Sequence, residues 1–284
     1  MAVIMALLAA LCYAVAAAFE QHQAEADTGR PAGLLRRLVR RPLWLAGFAV
    51  GALGAGLHLV ALAYGPLTTV QPIGVFVVVF AVPIGAMLRH RRPEAVDLLA
   101  AGAVSVGLAV LVSTLHTTDN PVRPGGWGLI GAGLFGVAAL GTGWASRRWR
   151  RDVHAVVLAG SAAVLLGLTS ALVRAFVSTG HGISAFLHVG TLLLVGCVIA
   201  RTVLEQNAYK VGRLAAVVAV MTVVDPVVSI VLGSGFLGQS VRVSHPGLTA
   251  MAAPIVILGV VALARRMDRR PVPAQPVLEA VPAR

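Results

Sequence analysis

Residues 42–88 read PLWLAGFAVGALGAGLHLVALAYGPLTTVQPIGVFVVVFAVPIGAML and hold no Asp, Glu, Lys or Arg. An α-helix rises 1.5 Å per residue and a bilayer's hydrocarbon core is about 30 Å thick, so this stretch is long enough to cross a membrane twice. Tyr64-Gly65-Pro66 supplies a turn at its centre. The reading is a tight hairpin of two membrane helices, near 43–63 and 67–88.

The same rule extends along the chain. Of the 284 residues, 58% are hydrophobic and 12% charged, with a mean hydropathy of +0.87; soluble domains carry about a quarter charged residues. Uncharged runs predict further spans near 1–19, 98–115, 126–146, 153–173, 183–200, 214–233 and 246–264. The first is read as a retained helix and not a signal peptide, because no basic residues precede it. The expected fold is all-α: a polytopic domain over 1–264 with nine transmembrane helices. A basic, Pro-rich tail, 265–284, has no periodic apolar face and is expected to be disordered.

The net charge of +12 gives a pI near 11.5. The basic residues sit in short clusters between spans without interleaved aromatics, which argues against nucleic-acid binding. Loops 20–42, 89–94, 146–152 and 201–213, with the tail, hold twenty of them; Arg123, Arg174 and Arg242 form the opposite set. Basic loops stay cytoplasmic, so the amino terminus is expected outside and the carboxyl terminus in the cytoplasm, across the cytoplasmic membrane.

Enzyme and cofactor signatures are missing. Lys210, the single lysine, follows Tyr209 and so cannot belong to a Walker A loop, and neither HExxH nor GxSxG occurs. Cys12 and Cys197 lie in apolar runs and read as packing residues, as do the glycines of the second and fifth spans, Gly47-xxx-Gly51 among them.

A shift of 147 residues lays Gly65-Pro66-Leu67 over Gly212-Arg213-Leu214 and Ala61 over Ala208. A shift of 154 lays 13–17 over 167–171. Both displace the chain by five spans, relating helices 1–4 to 6–9, and an odd shift inverts one copy. With these features the chain resembles the drug/metabolite transporter (EamA-like) superfamily, nearest to its NIPA-type magnesium transporter branch. The resemblance lies in Arg41-Pro42-Leu43-Trp44-Leu45-Ala46-Gly47, in residues 63–74, in Gln206-Asn207-Ala208-Tyr209, and in Arg174 where the family tends to have Lys. It implies a secondary transporter or facilitator working by alternating access, with Mg²⁺ or another divalent cation as leading substrate. Within transport the alternative is a metabolite or drug exporter, proton-coupled through Asp225. A membrane scaffold is the non-transport alternative. The bilayer and a small solute are the expected partners, and a homo-oligomer stays open.

Asp225 stands well inside the eighth span, eleven residues after Leu214 and so about 16 Å from its end. An ionisable group at that depth marks a pathway by default, and the adjacent Pro226 frees a backbone carbonyl, which suits a broken helix. It is the leading candidate for a cation or proton. Gln71 and Pro72, opening the third span, are candidate carbonyl donors or simple helix starters. The repeat pairs His58 near one end of the second span with Glu205 near the opposite end of the seventh, a candidate pair of gates; Glu205 with Arg201 at i−4 is the plainer reading. Gln206 completes the candidate pathway. Glu20, Gln21, His22 and Gln23 read as an ordinary polar helix end, and His181 with His188 lack a third ligand at helical spacing.

Overall fold

The computed structural model describes residues 1–65, 67–117, 126–178, 189–236 and 241–265. The helices are α1 (Ala2–Glu25), α2 (Leu34–Leu38), α3 (Pro42–Tyr64), α4 (Leu67–Gly74), α5 (Val77–Leu88), α6 (Ala95–Thr114), α7 (Gly126–Ala145), α8 (Arg151–Ser178), α9 (Val189–Val211), α10 (Leu214–Phe236) and α11 (Pro246–Arg265). Two short strands, β1 (Leu115–Thr117) and β2 (Val241–Val243), pair antiparallel. Among the described residues seven helical stretches, with 70–88 across α4 and α5 counted as one, are long and apolar enough to cross a membrane, and the chain is a multi-pass membrane protein. Residues 266–284 of the predicted tail, Arg123, His181 and His188 lie outside the described residues.

Three predicted boundaries differ. The first span runs on to Glu25, and the seventh, expected to stop at 200, continues as α9 to Val211, so 201–213 is mostly helix and not loop. Charge marked the water boundary in the sequence reading; here charged side chains of α1 and α9 face each other and the helices continue past them. The third predicted span is two helices, α4 and α5, separated at Val75 and Phe76. At the break the Val75 carbonyl accepts from the Val78 amide at 3.2 Å and from the buried Ser105 hydroxyl of α6 at 3.2 Å. α10, by contrast, stays helical through Pro226, so the break expected there is absent.

The helices pair in two similar sets: α1 lies along α3 and against α5, while α8 lies along α9 and against α10. We call α1–α6 and α8–α11 the two halves. Small residues bring α3 onto α1: a Cβ on Gly47 would stand 3.2 Å from the Ala16 carbonyl oxygen, and one on Gly54 3.2 Å from that of Ala9. α6 and α11 join the halves by a reciprocal contact. A Cβ on Gly107 would meet Val256 and the Ala252 carbonyl oxygen at 2.7 and 3.3 Å; one on Gly259 would meet Val104 and the Ala100 carbonyl oxygen at 2.6 and 3.0 Å. The outward faces are apolar: Phe48, Leu59 and Leu258 are all more than half exposed.

One end of the bundle is held by ion pairs. Asp27, 4% exposed, accepts from Arg37 Nη2 at 2.7 Å, Arg37 Nε at 2.8 Å, Lys210 Nζ at 3.0 Å and the Gly29 amide at 3.0 Å. Arg89 donates to Glu25 and Gln21, Arg213 to Asp97, and Arg151 to the Val211 carbonyl. Residues of all four basic loops therefore meet there, while β1 and β2 meet at the other end of α6 and α11. The Arg37 hydrogen bonds, then Lys210, hold the Asp27 carboxyl well below the usual carboxylate range. A depressed folded value contributes stability that is complete above the ordinary pKa of about 3.9 and is lost as pH falls through the folded one. Asp27→Asn is expected to cost about 1–3 kcal/mol at neutral pH, because it removes the buried carboxylate to which the partly exposed Arg37 and Lys210 donate. Melting curves in detergent should show the gap to wild type narrowing below about pH 4; a constant gap would mean that the carboxylate charge is not the source.

Candidate functional site

Polar side chains of α1, α3, α9 and α10 converge inside the bundle. α9 places Arg201, Glu205 and Tyr209 one above the other at i, i+4 and i+8, so a single stripe faces α1. Arg201 Nη2 pairs with Glu205 Oε2 at 3.1 Å, and the Tyr209 hydroxyl donates to Glu205 Oε1 at 3.3 Å. Glu205 is 9% exposed, Tyr209 2% and Gln206 0%. Gln206 bridges the halves: its Nε2 donates to Glu20 Oε2 of α1 at 2.6 Å, and its Oε1 accepts from the Trp44 indole of α3 at 3.1 Å. Trp44 is stacked on Phe48, with ring centroids 5.8 Å apart. Gln206, lying between a donor and an acceptor, has both ends of its amide committed.

The Arg201 guanidinium acts electrostatically on Glu20 and Asp225 as well as on Glu205, and Tyr13 of α1 feels it too. Arg201 Nε is buried with no hydrogen-bond partner among the described residues. The cluster thus contains three carboxyl groups and one guanidinium, and the guanidinium's hydrogen bond goes to Glu205. Glu20 is in contact with a neutral amide, and Asp225 with no cation among the described residues.

The predicted residues divide accordingly. Glu205 and Gln206 are central, Arg201 bonds Glu205 as its spacing suggested, and Asp225 shares their field. Pro226 follows on the same helix without interrupting it. Gln71 is exposed and Pro72 half-buried on α4, and neither bonds to the cluster. His58 is half-buried on α3, fourteen residues beyond Trp44 and thus about 21 Å along the helix from the cluster, with no hydrogen bond among the described residues. The described residues contain no group of three or more His, Cys, Asp or Glu placed to hold a metal ion. Glu20, Trp44 and Tyr209 were not singled out as site residues from the sequence. The signal was present in Glu20 lying seven residues after Tyr13, on the same helical face, and in the Arg201-Glu205-Tyr209 stripe.

Fold and cluster together define a multi-span helical membrane protein with a charged site inside its bundle. The chain is 26% identical over 249 residues, 83% of its own length and 83% of the other's, to an uncharacterized protein of Corynebacterium glutamicum. No protein-family model matches it, and no solved structure does.

Proposed function

We propose that this protein is a proton-coupled secondary transporter of a small organic solute in the cytoplasmic membrane, working by alternating access between two inverted halves. The observation that carries the reading is the cluster itself. Three carboxyl groups share one guanidinium inside an apolar bundle, and charges left without a partner there are costly, so Glu20 and Asp225 must take up a proton or a solute cation.

Other features support the architecture. The reciprocal contact joins Ala100-Ala101-xx-Val104-xx-Gly107 to Ala252-Ala253-xx-Val256-xx-Gly259, identical at four positions in a constant shift of 152 residues, close to the 147 and 154 of the other repeat matches. Helix pairings recur in the two halves. The basic loops meet at one end, as nine alternating spans with an external amino terminus require; in this reading α7 and α9 are the two spans added to the seven. The same pattern supports the likeness to the drug/metabolite transporter superfamily. The magnesium reading rests on that likeness alone, and among the described residues no three His, Cys, Asp or Glu side chains are placed to hold a metal ion.

Purified protein in liposomes, tested with divalent cations and organic solutes side by side under an imposed pH gradient, tests the proposal. Accumulation of an organic solute that collapses with the gradient is the expected result. Uptake of Mg²⁺ that ignores the gradient would return the magnesium reading to first place.

A further inference from the structure

Residues 210–213, the joint between α9 and α10, are held from the opposite half by three separate elements. Lys210 Nζ reaches Asp27 Oδ1 at 3.0 Å and the Gly29 carbonyl at 2.6 Å in the loop after α1. The Gly212 carbonyl accepts from Gln21 Nε2 of α1 at 2.9 Å, and Arg213 Nη2 donates to Asp97 Oδ2 of α6 at 2.6 Å. The joint itself is tight: a Cβ on Gly212 would stand 2.8 Å from the Ala208 carbonyl oxygen and 3.1 Å from Ala155. It is packed against the ends of its own helices and against α8. Lys210 lies one turn beyond Gln206, and Gln21 directly follows Glu20, so these contacts close the bundle immediately above the polar cluster.

We propose that the 210–213 joint is the gate on the basic side of the transport path: release of its bonds to Asp27, Gln21 and Asp97 parts the halves and opens the Glu20–Gln206 cluster to that side. This rests on the transport reading above. The chemistry suits a gate. The Lys210 and Arg213 side chains are 17% and 23% exposed and the Asp27 and Asp97 side chains 3% and 5%, so water already reaches the cationic member of each pair. Once the halves part, both members of each pair meet water, whereas an apolar seal of the same extent would expose hydrocarbon each time it opened.

Lys210 is the chain's sole lysine, so an amine-reactive reagent applied to the full-length protein in detergent reports on the joint, with the amino-terminal amine separated by peptide mapping. Asp97→Asn and Arg213→Gln leave Lys210 and its own partners unaltered. If the joint moves as one unit, each raises the Lys210 labelling rate, by about fivefold or more. In protein with Cys12→Ala and Cys197→Ala, a reversible bifunctional thiol reagent joining Asp97→Cys to Arg213→Cys should suppress Lys210 labelling, and reductant should restore it. Wild-type labelling rates in both Asp97→Asn and Arg213→Gln, or labelling unaffected by the cross-link, would overturn the gate. Because labelling needs no solute, failure to find a transported solute would remove the transport reading without changing this result. Conversely, a transporting protein with unchanged labelling loses only the gate.

Discussion

Glu20→Gln abolishes gradient-driven solute uptake, by about a hundredfold or more if proton exchange at this carboxyl is an obligatory step, and leaves the protein's abundance in the membrane near wild type. The amide keeps the shape and can still bond Gln206, while the exchangeable proton is lost. Asp225→Asn is expected to act in the same direction. Glu205→Gln behaves differently, because it leaves the Arg201 charge inside the bundle without its carboxylate; the expected cost is about 3–5 kcal/mol, read as loss of folded protein. Uptake assays and detergent-resistant yield, measured on all three variants, separate a coupling group from a structural ion pair. A scaffold would show wild-type behaviour in Glu20→Gln and Asp225→Asn alike, and wild-type uptake in both would withdraw them from the pathway.

Leucine at Gly259 is expected to prevent the halves from joining. The first added carbon already falls 2.6 Å from Val104, 3.0 Å from the Ala100 carbonyl oxygen and 3.3 Å from the Val104 amide nitrogen. Backbone atoms cannot step aside as a side-chain end can, so α6 and α11 must separate; overpacking of this kind costs about 1–3 kcal/mol, and more for so large a side chain. Gly107→Leu strikes the same crossing from the other helix. Because both changes act on one contact, the double variant should be less destabilised than the sum of the singles. Gly102→Ala, where nothing lies within 4 Å of the added carbon, is the control and should be neutral or slightly stabilising, since alanine favours helix over glycine. Monodisperse yield after detergent extraction reads all four. A well-behaved Gly259→Leu protein would mean that the α6–α11 crossing is not where the halves are held.

Much of the architecture could be read from the residues, because hydrocarbon imposes a simple rule: long uncharged runs cross it and basic loops do not. The turn at Gly65, the grouping of the basic loops and the Arg201–Glu205 spacing all follow from local pattern. The polar cluster followed less well. Cutting each span at its first charge moved Glu20 and Glu205 out to the membrane surface, although Gln206 joins α1 to α9 through a bond between residues 186 apart in sequence. No local pattern announces such a partner. The α4–α5 break escaped for a related reason: the Ser105 hydroxyl that meets the Val75 carbonyl there comes from thirty residues away on α6. At Asp225-Pro226 the sequence suggested a break, yet α10 continues, since proline removes one hydrogen bond without obliging a packed helix to end. The α6–α11 repeat was visible in principle, at a shift of 152, but its identities are spaced along one helical face and do not form a contiguous match.

The most direct measurement of the central claim is proton movement. Liposomes carrying the purified protein and a trapped pH-sensitive dye, with no imposed gradient, are exposed to each solute that the uptake screen selects. The account predicts a change of internal pH that starts with solute addition, scales with uptake, and is lost in Glu20→Gln. Solute entering at full rate with no change of internal pH, in wild-type and Glu20→Gln protein alike, would contradict it.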